Sequence, residues 1–311
     1  MPSFAARLHE VARAWRPQIV QAELHVMGQY LSGLGDPAPH RVLVEHEPGS
    51  AAARDLIAWE HGLRRAGRRL DALAWRRYEP RVLAAADAVV AFTGEDAAAL
   101  APLGPRARML TIPLGIPIPE RASDPIGKSP PAVLFIGSFG HPPNVDAAVR
   151  LARDIFPGVR ARLPDARLEI VGAAPPPEVR RLAGPGVVVT GRVADVSPHL
   201  GGAAVVAAPM RLGGGMRVKV LEALAAGKAL VATPRAVAGL GLEPGRHALV
   251  AEGDDGLGDA LVSLLSDPDL RGRLGAAARA HVAEHLSWER ATLAYEDLYG
   301  SLLASRAHTA A

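Results

Sequence analysis

The stretch PMRLGGGMRVKVLEALAAGKALVAT, residues 209–233, decides the fold of this chain. An apolar run of small residues at 203–208 precedes a glycine triplet, a helical pattern follows over 216–226, and a second apolar run covers 229–233. This order predicts a strand, a glycine-rich turn, a helix and a further strand of a parallel sheet. Backbone N–H groups at such a helix start bind anions, because they lack intrahelical partners and lie at the positive end of the helix dipole.

Two cations and a carboxylate follow the glycine triplet. Arg217 and Lys219 add full positive charge to the predicted anion site. Glu222 lies three residues after Lys219, so the two side chains project from neighbouring positions on one helix face. The chain has only three lysines, although one of them could fall in this segment by chance. We predict a site for a phosphate and a sugar hydroxyl.

Composition restricts the class of protein. The 311 residues suffice for two domains with a sizeable core. A net charge of +3 gives no argument for nucleic-acid binding. The absence of cysteine removes disulfides, thiolate metal sites and cysteine nucleophiles. No apolar run is long enough to span a membrane and the first residues lack the apolar core of a signal peptide, so we expect a cytoplasmic protein.

The first part of the chain predicts a small α/β domain and a linker. Strands are predicted at 17–24, 41–45, 88–92 and 107–112, with an arginine-rich helical stretch at 51–86. The segment that follows is dense in proline, which opposes both helix and central strand. We therefore predict a first domain over 1–113 and an interdomain linker over 114–131.

The remainder alternates regularly between strands and helices. Strands are predicted at 132–136, 167–171, 187–190, 203–208, 229–233 and 248–251, and helices at 145–156, 177–182, 216–226 and from 256 onward. This alternation predicts a doubly wound, nucleotide-binding type of domain over 132–286, with ligand beyond the carboxyl ends of the strands. The loops expected at that edge are 137–143, 172–176, 191–196, 209–215 and 234–246. A final amphipathic helix, within 287–311, either packs on its own domain or returns across the domains.

Several catalytic chemistries lack their motifs. The chain has no GxGxxG, no Walker lysine, no HExxH, no GxSxG and no metal-ligand spacing of His and Asp. Anion binding by loops and helix starts remains. We expect no cofactor and no metal ion.

Three blocks of sequence resemble the donor domain of family 4 glycosyltransferases of the GT-B fold. They are FIGSFGHPPNVDAA at 135–148, LEIVG…VVVTGRVADVSPHL across 168–200, and the stretch 209–233. The likeness extends to 245–251 and to SW at 287–288. Earlier in the chain, IVQAELHVMGQYL, VLVEHE and YEPRVLAAADAVVAFTGED resemble the later half of that family's acceptor domain.

The resemblance implies both an architecture and a reaction. The architecture is α/β, with two doubly wound Rossmann-like domains facing a cleft, of which the N-terminal one is incomplete here. The reaction is a retaining, metal-independent transfer of a sugar from a nucleotide-sugar donor to a hydroxyl acceptor. The acceptor would be a polysaccharide, a lipid-linked sugar or a small glycoside.

The resemblance also implies roles for individual residues. Glu222 matches the second glutamate of the family's E-x7-E motif and would accept hydrogen bonds from the ribose hydroxyls. Arg217 and Lys219 would neutralise the diphosphate, whose charge develops as it leaves. The alternatives are a solvent-facing glutamate that pairs with these cations, and an ordinary surface charge at Arg217.

Backbone and base contacts complete the implied donor site. The implied donor-binding residues are Gly137, Ser138, Arg192, Gly214, Gly215, Met216, Arg217, Lys219 and Glu222. The amides of Gly214, Gly215 and Met216 could approach phosphate or donor-sugar oxygens, or could simply form a strand-to-helix turn. Arg192 lies where the family holds its base, and a peripheral ion pair is an equal alternative for it.

A histidine from the acceptor domain often lies near the donor sugar in this family. His25, after the strand at 17–24, is the first candidate for this position and His46, after the strand at 41–45, is the second. With Arg217 and Lys219, His25 completes the candidate catalytic set. An ordinary polar loop histidine is the simpler interpretation of either residue.

The chain departs from the family pattern in three places. Gly214 stands where the first glutamate of E-x7-E helps to hold the donor sugar, so the sugar is left open. Ser138–His141 replaces the usual basic pair, which places more of the charge on Arg217 and Lys219. The family's opening β-α units are absent, as in a shortened domain or a late start codon.

Two alternatives to a glycosyltransferase function remain open. One is a non-catalytic nucleotide-sugar-binding module or degenerate partner subunit, and the other is a sugar-nucleotide epimerase of the same fold.

One arginine-rich stretch has two interpretations. Residues 61–81 contain seven arginines against two acidic residues, with Trp75 and Tyr78 interleaved. A solvated helix face is the simpler interpretation. Contact with anionic lipid head groups at the inner face of the membrane is the other, because many members of the family use lipid-linked acceptors.

Overall fold

The computed structural model describes residues 2–34, 38–60, 62–104, 106–124 and 126–309. The chain divides into two compact units. The first comprises Met1–Leu114, Gly213–Met216 and Glu289–Ala311, and the second comprises Gly115–Leu212 and Arg217–Trp288. Each unit contains a parallel sheet, as the predicted alternation of strands and helices requires.

The first unit is built on four parallel strands. These are β1 (Ile19–Glu23), β2 (His40–Glu45), β3 (Ala88–Ala91) and β4 (Arg108–Thr111). They lie side by side in chain order. All four coincide with strands predicted from the sequence, with ends that differ by one or two residues.

Before β4, the described residues form five helices and a short 3₁₀ turn that accompany this sheet. The helices are α1 (Pro2–Trp15), α2 (His25–Gly28), α3 (Gly49–Trp59), α4 (Gly62–Ala84) and α5 (Gly94–Leu100), and the turn is Ala101–Leu103. The prediction of one helical stretch over 51–86 is wrong. Glu60 is extended and Gly62 has a φ of +59°, which suits glycine, so α3 and α4 are separate helices. Residue 61, at the start of the arginine-rich stretch, lies outside the described residues.

The second unit contains a six-stranded parallel sheet. Its strands are β5 (Ala132–Ile136), β6 (Arg167–Val171), β7 (Val187–Gly191), β8 (Val205–Ala208), β9 (Ala229–Ala232) and β10 (Leu249–Val250). The order across the sheet is β10-β9-β8-β5-β6-β7. The chain runs outward from β5 to β7 and then returns to β8 on the other side of β5. Doubly wound sheets bind ligands beyond the carboxyl ends of the strands at such a switch point.

The helices of the second half of the chain are α6 (Pro142–Arg150), α7 (Phe156–Arg162), α8 (Pro177–Arg180), α9 (Ser197–Gly202), α10 (Val218–Ala225), α11 (Pro234–Val237), α12 (Gly253–Ser266), α13 (Pro268–His285) and α14 (Trp288–Thr309). A π-helical turn, Leu151–Ile155, joins α6 to α7. The helix predicted from residue 216 begins at Val218. Gly215 has a φ of +65° and Arg217 has a non-helical conformation, so Arg217 occupies the N-cap position, just before the first helical residue.

Both faces of the first sheet are covered. Leu43 of β2 packs with Leu83 of α4 on one face. Its neighbour Val42 packs on the other face with Leu298 and Leu302 of α14. In a parallel strand that is buried on both faces, side chains on both sides are apolar. This explains the continuous apolar runs in the sequence. The C-terminal helix is therefore part of the core of the first unit.

The proline-rich segment that the sequence predicts as a linker is held by the second unit from Gly115 onward. Arg279 of α13 donates a hydrogen bond to the carbonyl oxygen of Pro119. Arg271 of the same helix donates to the carbonyl oxygen of Ile126 at 3.2 Å. Proline-rich backbone is short of N–H donors, and cationic side chains satisfy its carbonyl groups here.

The helix that carries Lys219 ends against α13. Gly227 follows α10 with a φ of +75°, the left-handed conformation that closes many helices. The backbone of α13 approaches this turn at Gly275, where a Cβ atom would lie 2.0 Å from the carbonyl oxygen of Gly227. Glycine at 275 therefore allows α13 to support the end of α10.

We predict opposite effects for two alanine substitutions in α13. Gly275→Ala should lower the free energy of unfolding by about 1–3 kcal/mol, because its methyl group meets backbone that cannot move aside. Gly272→Ala is the matched control, since a Cβ there meets no atom within 4 Å. It should stabilise the protein by up to about 1 kcal/mol through helix propensity. Urea unfolding of both variants checks this, and shifts in the same direction would contradict it.

Candidate functional site

Two loops meet at the switch point of the second sheet. The first follows β5 and includes Gly137 and Ser138, and the second follows β8 from Pro209 to Arg217. Gly137 is buried and its N–H donates to the carbonyl oxygen of Val171 at 2.9 Å, whereas Ser138 is exposed. Both loops are among those that the sequence places at the ligand edge.

Lys219 connects the two loops. Its Nζ donates a hydrogen bond to Oδ1 of Asn144 and lies 5.1 Å from the centre of the Phe135 ring. Asn144 is buried in the first turn of α6, and its Nδ2 donates to the carbonyl oxygen of Ser138 at 2.7 Å. We call Ser138, Asn144, Arg217 and Lys219 the anion site.

The ammonium group of Lys219 has no countercharge among the described residues. Burial, and secondly the neighbouring charge of Arg217, lower its pKa from 10.5 to about 7. In the described part of the chain, no carboxylate forms an ion pair with Lys219. A cation in such surroundings is costly to keep, and an anion bound beside it would restore its pKa and reduce that cost. The arrangement favours binding of a phosphate group.

Helix α6 also holds the loop that follows β8. Arg211 donates from Nε and Nη2 to the carboxylate of Asp146, with distances from 2.7 to 3.2 Å. Arg150 donates to the carbonyl oxygen of Pro209 at 3.0 Å and to Asp254 at 2.6 Å. These contacts fix the loop before any ligand arrives, which is the condition for electrostatic preorganisation.

Sequence reasoning missed Asn144. It is the only asparagine among the 311 residues, and it follows the predicted Gly137–Ser138 turn by six residues. That rarity is a signal that could have identified it. Its partnership with Lys219 depends on the pairing of β5 with β8, which the linear sequence does not display.

Glu222 and Arg192 lie outside this hydrogen-bonded group. Glu222 is an exposed residue of α10, but neighbouring atoms partly desolvate its carboxylate and raise its pKa. No ion pair of Glu222 with Arg217 or Lys219 occurs in the described residues. Arg192 is exposed just after β7, which lies two strands, or about 10 Å, from β5. Their roles toward ribose and base stay predictions.

The glycine triplet donates to carboxylates. Gly213–Met216 group with the first unit. The N–H of Gly213 donates to Asp55 at 2.8 Å, and the N–H of Gly214 donates to Glu47. These amides therefore donate hydrogen bonds to negatively charged oxygens. A contact of the same turn with phosphate stays a prediction.

The rest of the turn is fixed by packing. A Cβ atom on Gly215 would lie 2.4 Å from the carbonyl oxygen of His46, so glycine is required there for space as well as for its positive φ. The sulfur atom of Met216 accepts the N–H of Leu114 at 3.2 Å. Met216 therefore serves the core of the first unit.

The two candidate histidines form crossed pairs with glutamates. His25 follows β1 and its Nδ1 lies 3.1 Å from Oε2 of Glu45, the last residue of β2. His46 follows β2 and its Nε2 lies 3.0 Å from Oε2 of Glu23, the last residue of β1. The His25 ring contacts Trp75 edge-on and is 18% exposed, whereas the His46 side chain is 40% exposed. A carboxylate thus orients each imidazole. A catalytic role for either stays a prediction.

Two further observations concern the described residues. They contain no group of three or more His, Asp or Glu side chains placed to hold a metal ion. None of their helices combines the length and the apolar character needed to cross a bilayer.

Comparison with known proteins bears on the second unit most directly. Residues 130–267 match the family model described as "Glycosyl transferases group 1". This segment contains the whole anion site. The match agrees with the resemblance seen in the sequence at the level of group 1 glycosyltransferases, while membership of family 4 and the shortened N-terminus stay predictions.

One characterised relative is similar over part of the chain. It is the GDP-mannose-dependent monoacylated alpha-(1-6)-phosphatidylinositol monomannoside mannosyltransferase of Corynebacterium glutamicum, 39% identical over 148 residues. The similarity covers 43% of this chain and 39% of that enzyme's length. The chain therefore matches well under half of this relative.

Solved structures share the fold over nearly the whole chain. A sucrose-phosphate synthase from Thermosynechococcus elongatus superposes with a TM-score of 0.78 at 20% identity, covering 98% of this chain and 78% of the other. Anabaena HepE, solved with UDP and glucose, gives 0.71 at 16% identity, covering 96% and 82%. The fold is that of the GT-B class, which confirms the predicted fold class.

We predict that Lys219→Met stabilises the unliganded protein in a pH-dependent manner. Because the folded-state pKa lies below the ordinary 10.5, the cost of the buried charge is fully present below about pH 7 and disappears as pH rises toward 10.5. The variant should therefore exceed wild type in stability near neutral pH, and the gap should narrow as pH rises above about 7 and close only near pH 10.5. Denaturant unfolding at a series of pH values across this range measures this. Lys128→Met, at an exposed lysine, is the control, and a gap independent of pH would contradict the assignment.

Proposed function

We propose that this protein is a glycosyltransferase that takes a nucleoside-diphosphate sugar as donor. The observation that carries the proposal is the uncompensated charge of Lys219 beside Arg217. It lies at the switch point of the second sheet, within the segment that matches group 1 glycosyl transferases. Doubly wound sheets bind nucleotides at this position, and a diphosphate would supply the missing negative charge.

The same cations would serve the reaction. When the bond between sugar and diphosphate breaks, negative charge develops on the leaving phosphate oxygen. Arg217 and Lys219 would stabilise that charge, in the role that a metal ion has in other enzymes, and so we propose metal-independent transfer. Retention of the anomeric configuration is proposed from the family resemblance alone.

The donor and the acceptor are proposed by chemical class. Glu222 is exposed on the helix that carries Lys219, where its carboxylate could accept from two vicinal ribose hydroxyls. GDP and UDP are the first nucleotides to test, because the mannosyltransferase relative uses GDP-mannose and HepE was solved with UDP. For the acceptor we propose a saccharide or lipid-linked saccharide hydroxyl near the crossed pairs His25–Glu45 and His46–Glu23.

We predict that Lys219→Ala weakens nucleoside-diphosphate binding by about 10- to 100-fold, because a hydrogen bond from a charged group contributes about 1.5–3 kcal/mol. Isothermal titration with GDP, UDP and ADP at about pH 6.5, where the amine is charged, measures this. Lys128→Ala is the matched control and should bind as wild type does. Equal affinity of wild type and Lys219→Ala would remove Lys219 from the phosphate site.

A binding function without transfer is the second candidate. Gly214 in place of a carboxylate favours it, because the donor sugar then loses one of its expected partners. Incubation with GDP-mannose or UDP-glucose and a panel of saccharide acceptors separates the two functions. Transfer supports the enzyme, and nucleotide binding without transfer or hydrolysis supports the module. An epimerised sugar nucleotide formed without acceptor would support the epimerase.

We further propose that the N-terminal part of α4 contacts an anionic membrane surface. Residues 62–77, called the α4 arm below, are mostly exposed, and Leu63 and Leu70 are 92% and 69% exposed. These leucines are seven residues apart and so share one face of the helix. Arg64 and Arg69 flank that face on its two sides, as in helices that lie on anionic lipid.

We predict that Arg64→Gln/Arg69→Gln weakens binding to vesicles by roughly 30-fold, since each cation near such a surface contributes about 1 kcal/mol. Co-sedimentation with phosphatidylcholine vesicles, with and without phosphatidylglycerol, measures this. The matched control is Arg180→Gln/Arg181→Gln, which removes equal charge from exposed sites in the second unit. Equal losses in both variants would mean that net charge, not the α4 arm, drives the association.

A further inference from the structure

We propose that Asn144 is a positioning residue that holds the Lys219 ammonium in the anion site without neutralising its charge. The proposal rests on the proposed function, because the charge is kept for a nucleoside diphosphate. Asn144 itself needs no contact with the ligand, since it acts through Lys219.

The orientation of the Asn144 amide follows from its two partners. The carbonyl oxygen of Ser138 can only accept, so the Nδ2 group must face it. The Oδ1 atom then faces Lys219, whose ammonium group can only donate. Both ends of the amide are satisfied in one orientation, and the flipped amide would place an oxygen against an oxygen and a donor against a donor.

Close packing makes Asn144 a rigid support. It is 6% exposed, and a Cβ atom on Gly137 would lie 3.1 Å from its Cβ and Cγ atoms. Its backbone N–H donates to the carbonyl oxygen of His141 at 3.0 Å. The side chain therefore has little freedom, and it fixes the position of the Lys219 nitrogen relative to the turn at Ser138.

The neutrality of the amide is the functional point. A carboxylate at position 144 would hold Lys219 equally well but would form an ion pair with it. That pair would cancel the charge offered to phosphate and would raise the pKa of the lysine. An amide keeps the geometry and leaves the positive charge available, while Asp146 two residues later shows that the same helix does carry a carboxylate, directed to Arg211.

Binding should then be linked to proton uptake. With a pKa of about 7 in the unliganded protein, the amine is partly neutral at physiological pH. A bound diphosphate stabilises the ammonium form, so affinity should fall as pH rises above 7, by up to tenfold for each pH unit.

The first test compares Asn144→Asp and Asn144→Ala with wild type in titrations with GDP and UDP across about pH 6 to 9. At about pH 6, Asn144→Asp should bind the nucleotides at least tenfold more weakly than wild type. Its affinity should begin to fall only at a higher pH than that of wild type, because its Lys219 stays charged. Asn144→Ala should also bind more weakly, without that upward displacement of the pH profile. Thermal melts show whether each variant is folded. If both variants lose affinity equally and keep the wild-type pH profile, Asn144 has a purely structural role and the proposal is overturned.

The second test uses the uniqueness of Asn144. Selective ¹⁵N labelling of asparagine gives one side-chain ¹⁵N resonance in the NMR spectrum of the whole protein, seen as a pair of N–H cross-peaks, because the chain has a single asparagine. This signal should shift with a midpoint near pH 7 in wild type, should move to higher pH with saturating GDP or UDP, and should not titrate in Lys219→Met. A signal that ignores pH, or that titrates identically in Lys219→Met, would overturn the proposal.

The two tests separate the inference from the function on which it rests. Wild-type protein that binds none of GDP, UDP and inorganic pyrophosphate would refute the proposed function and the purpose assigned to the retained charge. The NMR titration would still show whether Asn144 contacts a titrating Lys219. Nucleotide binding with an unchanged pH profile in Asn144→Asp would leave the function standing and refute the role of Asn144.

Discussion

An uncompensated positive charge at the switch point of the second sheet is the constraint on which the site depends. Removing the Lys219 ammonium from water is unfavourable, and a neighbouring Arg217 makes it more so. The structure tolerates this because the amide of Asn144 provides a strong acceptor and the face of Phe135 provides a polarisable surface. A bound anion would recover the cost of holding this charge, so the arrangement favours anion binding.

The backbone around α10 fixes the position of Lys219. Gly215 precedes the helix with a φ of +65° and Gly227 follows it with a φ of +75°, so the short helix is closed at both ends by glycine. Gly275 lets α13 press against the far end. Helix α6 fixes the near end through Asn144 and holds the preceding loop through Arg211 and its partner carboxylate. The position of one side chain thus depends on two helices that are distant in sequence.

These dependencies explain which predictions from the sequence succeeded. The strands at 132–136 and 167–171 were predictable to the residue, because continuous apolar runs between turn residues specify buried parallel strands. The start of α10 was not predictable to the residue. Helical periodicity indicates a start at residue 216, but Gly215 has a positive φ and Arg217 is non-helical, so the helix begins at Val218. The arginine-rich stretch shows the same limit, since one residue in extended conformation, Glu60, divides a continuous helical pattern. Asn144 was missed because its partner is 75 residues away, and only the order of strands brings them together.

The histidines illustrate a different limit. The sequence places His25 and His46 after two strands and favours His25, but it could not show their partners, because each histidine is paired with the glutamate that ends the other strand. The pairs cross because β1 and β2 are parallel neighbours whose carboxyl ends lie side by side. At this edge of the first sheet, each imidazole therefore has a carboxylate partner. The edge of the second sheet differs, because Lys219 has no carboxylate partner among the described residues. Paired imidazole and carboxylate groups suit neutral hydroxyls, whereas an unpaired ammonium suits phosphate. The edges of the two sheets are therefore suited to chemically different ligands.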